Sequence, residues 1–334
     1  MRAPDFWHRP PGLAARLLAP AGAAWELAGR LRRAVARPYR APVPVLCVGN
    51  LVAGGSGKTP VVLSLARLFA ERGSAVHVVS RGYGGIQAGP VRVDPLRHDA
   101  AAVGDEALLL ASVAPCWVAR NRAAGIAAAA EAGADAILLD DGFQNPSVEK
   151  DLSLVVVDAA YGFGNGRVMP AGPLREPVAL GLARAGAIVL IGDGPIPSEL
   201  SMASPQVLRA DLAPVNGDRF RDAALVAFAG IGRPEKFFAA LRRLGAQPIA
   251  TEAFPDHHAY RAGEIIRLRE TAAHQNARLV TTKKDWVRLH PDLRDGIEVL
   301  EVEMRWRDPI MLDKLLDPFL PQAGHGRNAR AVGG

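Results

Sequence analysis

Gly49–Pro60 reads GNLVAGGSGKTP, a stretch whose residue types suit the holding of a phosphate. Small residues let successive backbone N–H groups turn inward around an anion, here across Gly54, Gly55, Ser56 and Gly57. Lys58 adds a cation for terminal phosphates, and Thr59 offers a hydroxyl to a divalent cation such as Mg²⁺. The general phosphate-loop pattern places a glycine five residues before the Gly57-Lys58 pair; that position here is Val52, so the loop is a variant. A glycine-rich turn can be purely structural, but an apolar strand before it and a helical pattern after it favour phosphate binding.

A second signal is ILLDDGFQN, which puts Asp140 and Asp141 at the carboxyl end of an apolar run. Adjacent residues of an extended chain point to opposite sides, so one carboxylate can face a metal beside the phosphate loop while the other does not. The bland alternative is a capped turn at a strand end. Three further clusters are Gly104-Asp105-Glu106, Gly172 to Pro177 (GPLREP) and Phe254 to His258 (FPDHH). Asp105 alone reads as a helix cap and Asp256-His257-His258 alone as a solvated loop. A carboxylate paired with a histidine can also take the proton of an attacking hydroxyl, which phosphoryl transfer to an alcohol requires. No HExxH or Cys/His spacing supports a zinc site. Thr281 to Asp285 (TTKKD) resembles the guanine-reading motif of GTPases, yet Asp140-Asp141-Gly142 lacks their DxxG spacing. Partition-type ATPases carry a lysine where this loop has Ala53.

The elements that must position these groups follow from hydrophobic pattern. Apolar runs at Val45–Gly49, 75–80, Ala136–Asp140, Leu152–Asp158, Ala187–Ile191 and 207–211 alternate with helical stretches at 60–72, 105–112 and 122–132. Such alternation predicts a parallel sheet covered by helices on both faces. A second series has strands at 225–229, 247–251, 278–282 and about 297–302, with a helix at 234–244, and predicts a smaller α/β unit. The expected organisation is a basic amphipathic segment over 1–40, a phosphate-loop domain over 41–212, the smaller unit over 213–320 and a flexible tail over 321–334.

With 334 residues the chain is long enough for two cores. Its formal charge of +6 is carried entirely by residues 1–40, where eight Arg face only Asp5 and Glu26. A body without net charge argues against binding nucleic acid through a distributed basic surface. Leu13, Leu17, Leu18, Trp25, Leu27 and Leu31 recur near helical spacing in that basic segment. Its longest uncharged run is too short to span a bilayer, and Pro20 with the following arginines argues against a cleaved secretion signal. Docking in an anionic membrane interface and packing on the protein's own core are both consistent with it. Cys47 and Cys116 lie beside apolar runs and read as buried free thiols of a reducing compartment.

Taken in order, VGNLVAGGSGKTP, SRGYGG, VGDEALLLA, LLDDGFQ, MPAGPLREP, FPDHHAY and TTKKD resemble the tetraacyldisaccharide 4'-kinase family of the lipid A pathway. The resemblance implies a P-loop NTPase-like α/β fold, ATP and Mg²⁺ as cofactors, and phosphorylation of the 4'-hydroxyl of an acylated glucosamine disaccharide. It implies Lys58 and Thr59 on the phosphates and metal, with Asp141 and Glu176 completing the metal environment and Asp140 supporting it. It further implies Asp105 as base with His257 orienting it, and Asn50, Arg122, Gln144 and Arg175 as phosphate or substrate contacts. A lipid substrate implies peripheral attachment to the cytoplasmic leaflet of a bacterial inner membrane, with no obligate protein partner. The reading from another class is a nucleotide-dependent switch or metallochaperone ATPase, which has no need of Asp105 together with Asp256-His257-His258.

Overall fold

A computed structural model describes residues 4–55, 57–201 and 205–320. The expected tail over 321–334 and the loop residue Ser56 lie outside the described residues. Thirteen strands are described: β1 (Val45–Gly49), β2 (Val76–Ser80), β3 (Val91–Arg92), β4 (Cys116–Val118), β5 (Ala136–Asp140), β6 (Leu152–Asp158), β7 (Ala187–Ile191), β8 (Gln206–Pro214), β9 (Ala224–Ala229), β10 (Gln247–Ala253), β11 (Arg278–Thr282), β12 (Ile297–Leu300) and β13 (Val302–Trp306). They form a nine-stranded sheet in the order β13-β8-β7-β6-β1-β5-β2-β4-β3 and a four-stranded sheet in the order β10-β9-β11-β12.

β1 lies between β5 and β6, parallel to both, with Val48 opposite Asp140 and Leu154. Its side chains alternate between two cores. Leu46 and Val48 pack with Val61, Val62 and Leu65 of the helix Lys58–Glu71, whereas Val45 and Cys47 pack with Ile126 and Ala129 of the helix Arg122–Glu131. Burial on both faces is why β1, β5, β6 and β7 read as unbroken apolar runs rather than alternating ones. Parallel register then carries the carboxyl ends of β1, β2, β5 and β6 to one edge, so Gly49, Ser80, Asp140 and Asp158 emerge there together.

The large sheet is mixed rather than wholly parallel, because both edge strands run antiparallel: β3 to β4 and β13 to β8. The expected smaller unit over 213–320 supplies the four-stranded sheet from residues 224 to 300. After Glu301 the chain crosses back; Val302 pairs with Pro214, and Leu312 and Leu316 enter the core of the large sheet. A single strand read near 297–302 is therefore two, β12 and β13, in different sheets. The small sheet is parallel and covered on one face by Phe237, Phe238 and Leu241 of the helix Pro234–Arg243. Ile265, Leu268 and Ala272 of the helix Ala262–His274 cover the other face.

One buried carboxylate ties the loops of this small unit together. Asp285 accepts hydrogen bonds from the Gly230 N–H (2.8 Å) and the Tyr260 hydroxyl (2.7 Å), and pairs with Arg288 at 3.0 Å. Burial first, then the Asp285 charge and its hydrogen bond, push the Tyr260 hydroxyl well above its ordinary value, so it stays a donor. Asp285→Ala should strand these donors and destabilise the fold by about 3–5 kcal/mol. The shift in urea midpoint, followed by the fluorescence of neighbouring Trp286, measures it.

Candidate active site

The phosphate loop begins where β1 ends. A side chain on Gly49 would meet Phe143 Cβ at 2.4 Å, so only glycine lets the Asp141–Phe143 turn lie over the end of the strand. Asn50 is buried, and its Nδ2 donates to the carbonyls of Val52 (2.7 Å) and Gly54 (3.4 Å). From outside, the GPLREP stretch braces the loop: Ala53 N–H donates to Pro173 O (2.7 Å) and Arg175 N–H to Leu51 O (2.8 Å). Gly57, in the left-handed region at φ 86°, caps the helix that Lys58 opens and Thr59 continues.

Lys58 Nζ lies 3.7 Å from Asp141 Oδ2, and Arg175 grips the same carboxylate through two N–H donors at 2.9 and 3.2 Å. Burial opposes ionisation of Asp141, but Lys58 and Arg175 outweigh it and hold the carboxyl below its ordinary value. Asp140, buried at the end of β5, accepts a hydrogen bond from Ser80 Oγ at 3.2 Å. Burial, followed by the charges of Glu106 and Asp141, pushes Asp140 up to about 7. Gln144 links the groups, donating to Asn50 O (2.8 Å) and Glu176 Oε1 (3.2 Å) and accepting from Arg175 (3.4 Å).

Glu176 keeps different company. Arg184 occupies both of its oxygens at 2.8 and 2.9 Å, and Arg33 of the N-terminal segment lies 3.5 Å away. That segment comprises the helices Leu13–Leu17 and Ala19–Ala34, and it is seated on the same stretch by Trp25 Nε1, which donates to Arg175 O at 3.1 Å. Arg122 starts the helix Arg122–Glu131, buried, with Nη1 donating to Ala119 O (2.6 Å). Its guanidinium is disfavoured by burial and then by Arg81, with Asp140 and Asp141 pulling the other way.

Asp105 begins the helix Asp105–Ala111 and is met there by the small unit. His257 Nδ1 lies 2.9 Å from Asp105 Oδ2, Arg288 Nε 3.2 Å and Lys284 Nζ 3.8 Å. His257 sits at φ 59°, its N–H donating to Gly230 O (3.1 Å), with the Tyr83 ring of SRGYGG 5.4 Å from its own. Burial works against the Asp105 charge, yet the His257 hydrogen bond followed by Lys284 and Arg288 holds the carboxyl below its ordinary value. A second crossing involves Asp158 at the end of β6, which binds Arg233 and, at 2.8 Å, Lys236; Arg233 also donates to Gly55 O (3.3 Å). Arg288, Arg233, Lys236 and Asp158 were not among the candidate site residues read from sequence, and Lys284 entered only as part of TTKKD with no role assigned. Lys284 and Arg288 stand four apart, but nothing in their spacing indicates Asp105 as partner.

No group of three or more His, Cys, Asp or Glu side chains able to hold a metal occurs among the described residues. Thr59 and Asp141 are hard oxygen donors at the mouth of the phosphate loop, and the charge on Asp141 is sustained there. That donor set fits a Mg²⁺ ion bound chiefly through nucleotide phosphates and water. Glu176, with both oxygens on Arg184, would reach such an ion only after giving up that pair.

A family model described as LpxK, tetraacyldisaccharide-1-P 4'-kinase, matches residues 14–320. The tetraacyldisaccharide 4'-kinase of Rhodospirillum centenum is 54% identical over 332 residues, 96% of this chain and 97% of that protein. This chain belongs to the tetraacyldisaccharide 4'-kinase family. The family member of Gluconacetobacter diazotrophicus is 53% identical, across 97% of this chain and 99% of its own length. A crystal structure of LpxK from Aquifex aeolicus in complex with ATP is 25% identical, with a TM-score of 0.73 over 92% of this chain and 99% of that one. Membership assigns the chain to the ATP-dependent lipid kinases of lipid A biosynthesis.

Lys58→Ala removes the cation that faces both the phosphate loop and Asp141. Turnover should fall by about a hundredfold or more, a loss typical of deleting one preorganised charge at a transferring group. Transfer of label from ATP to the acylated disaccharide measures it.

Proposed function

We propose that this chain transfers the γ-phosphoryl group of Mg-ATP to the 4'-hydroxyl of a tetraacylated glucosamine disaccharide 1-phosphate at a membrane surface. The observation that carries the reading is the Asp105–His257 pair, built from two separate units at the sheet edge where the phosphate loop opens. Glu106, next in sequence, lies near enough to Asp140 to raise its pKa, so the pair and the loop share one electrostatic neighbourhood.

In this reading the hydroxyl oxygen forms a bond to the γ-phosphorus while the bond to the β–γ bridging oxygen breaks and ADP departs. The hydroxyl proton passes to the Asp105–His257 pair and then to water. Gly54, Gly55 and Gly57 supply backbone donors, Lys58 neutralises the terminal phosphates, and Thr59 and Asp141 would hold Mg²⁺, with Asp140 in a supporting role. The bound ion would offset charge on the β and γ oxygens. Gln144 and Arg175 orient Asp141, and Asn50 shapes the loop through its contacts with Val52 and Gly54. Arg122 and Asn50 are the groups assigned toward phosphate or sugar. Glu176 supports the site through Gln144, with direct metal binding requiring release from Arg184.

For the lipid, the N-terminal segment offers a surface. Leu13, Leu17, Leu27, Leu31 and Val35 are all more than half exposed and are interspersed with arginines, whereas no helix among the described residues is long and apolar enough to cross a membrane. This fits docking in the interface of an anionic leaflet, the cytoplasmic face of the inner membrane on this reading.

Two measurements test these assignments. Asp105→Ala should abolish most phosphate transfer to the lipid and spare ATP affinity; an equal loss of both contradicts a base role, and ATP hydrolysis with no lipid phosphorylation in the unaltered protein favours a nucleotide switch. Separately, Leu17→Glu with Leu31→Glu should lower partition onto anionic vesicles by roughly tenfold or more while leaving thermal unfolding in place. An unchanged partition retires the docking assignment.

A further inference from the structure

We infer that Arg288, assisted by Lys284, is a positioning residue for phosphoryl transfer, the group through which the four-stranded unit fixes the Asp105 carboxylate and its histidine in working geometry. The inference rests on the proposed base role of Asp105. It gives a function to the helix Lys283–Arg288, whose TTKKD sequence attracts attention yet whose aspartate, buried among Gly230, Tyr260 and Thr282, is committed to holding its own unit together.

The side chains of Asp105 and Arg288 are only 3% and 4% exposed, so their attraction across the units is little screened by solvent or salt. Five contacts surround the guanidinium. Nε donates to Lys284 O (3.1 Å) and lies 3.2 Å from Asp105 Oδ2, Nη2 lies 3.0 Å from Asp285 Oδ1, and Nη1 donates to Gly230 O (2.8 Å) and His258 O (3.4 Å). Gly230 O also accepts the N–H of His257, and His258 follows His257 directly. The planar fork is therefore fixed in direction by the carbonyls of Lys284, Gly230 and His258, and from that fixed place it holds by charge the carboxylate that the histidine meets. A lysine has neither the fork nor the directions.

Lys284 is the looser partner. Its Nζ lies 3.3 Å from Glu106, 3.8 Å from Asp105 and 3.9 Å from Asp256, one cation shared among three carboxylates. Facing Asp105 are thus Glu106 from its own helix, Asp256 and His257 from the loop after β10, and Lys284 and Arg288, with Asp285 behind the arginine. Removing either cation leaves this acid-rich group short of positive charge, and the largest loss is to the buried carboxylate.

The sign follows from the base role. A base must be ionised, and losing a cation raises the pKa at which Asp105 takes a proton. The acidic limb of kcat/KM must therefore move to higher pH. Steady-state kinetics of the full-length protein with Mg-ATP and the acylated disaccharide, over a range of pH, is the experiment. For Arg288→Met, kcat should drop by about a hundredfold with the KM for ATP within about threefold, and the acidic limb should rise by about one pH unit. Arg288→Lys should recover little. Lys284→Met changes a partly exposed side chain and keeps the fold, so it guards against a trivial loss of structure in the arginine variant; it should cost about tenfold in kcat and shift the limb in the same direction.

If Asp105→Asn is inactive but neither variant moves the limb, the positioning inference is wrong and the base stands. If Asp105→Asn turns over normally, the base reading fails and this inference fails with it.

Discussion

The placement of β1 between β5 and β6, parallel to both, is the constraint from which the rest of the site follows. It forces β1 to be apolar on both faces and brings Gly49 and Asp140, with Asp158 three residues farther along β6 than the residue opposite Gly49, to one edge. The phosphate loop, the paired aspartates and the anchor for Arg233 are then consequences of strand ends meeting, and none of them needs the loops to find each other unaided. Gly49 shows how tight the arrangement is, since the space a methyl group would fill is taken by Phe143.

Across that edge the two units meet through groups of opposite charge. The large sheet offers Asp105, Glu106 and Asp158; the small unit answers with Lys284, Arg288, Arg233 and Lys236. Such a seam is directional and sensitive to the charge of whatever enters it. On the proposed reading, a triphosphate in the loop would add negative charge beside Gly55, where Arg233 lies, and would compete with Asp158 for the same guanidinium. The absence of net charge in the body of the chain thus conceals opposite signs on the two sides of this seam.

What the sequence revealed depended on range. The phosphate loop, the aspartate pair and the long buried strands are local patterns, and β1, β5, β6, β7 and β11 lie where apolar runs indicate. β3 and β4 are only two and three residues long, too short to give a period, and β13 is a partly polar edge strand whose partner lies almost ninety residues earlier. The helix Ala262–His274 carried a legible stripe, Ile265, Leu268 and Ala272, hidden among charges. Lys284 and Arg288 had no readable role, because a charged residue on a short helix looks the same whether it faces water or a carboxylate 180 residues away. Glu176 illustrates the converse: its motif is conspicuous, but only the fold reveals that two arginines already surround it.

The N-terminal segment has one side on the stretch that supplies Arg175 to Asp141 and the other lined by Leu13, Leu17 and Leu31. On the proposed docking, the helix Ala19–Ala34 stands between the membrane and that stretch, a spacer roughly 10–12 Å thick. A reacting hydroxyl would then have to stand proud of the surface by a comparable distance, and reach along the surface normal would discriminate among acceptors as much as chemical identity.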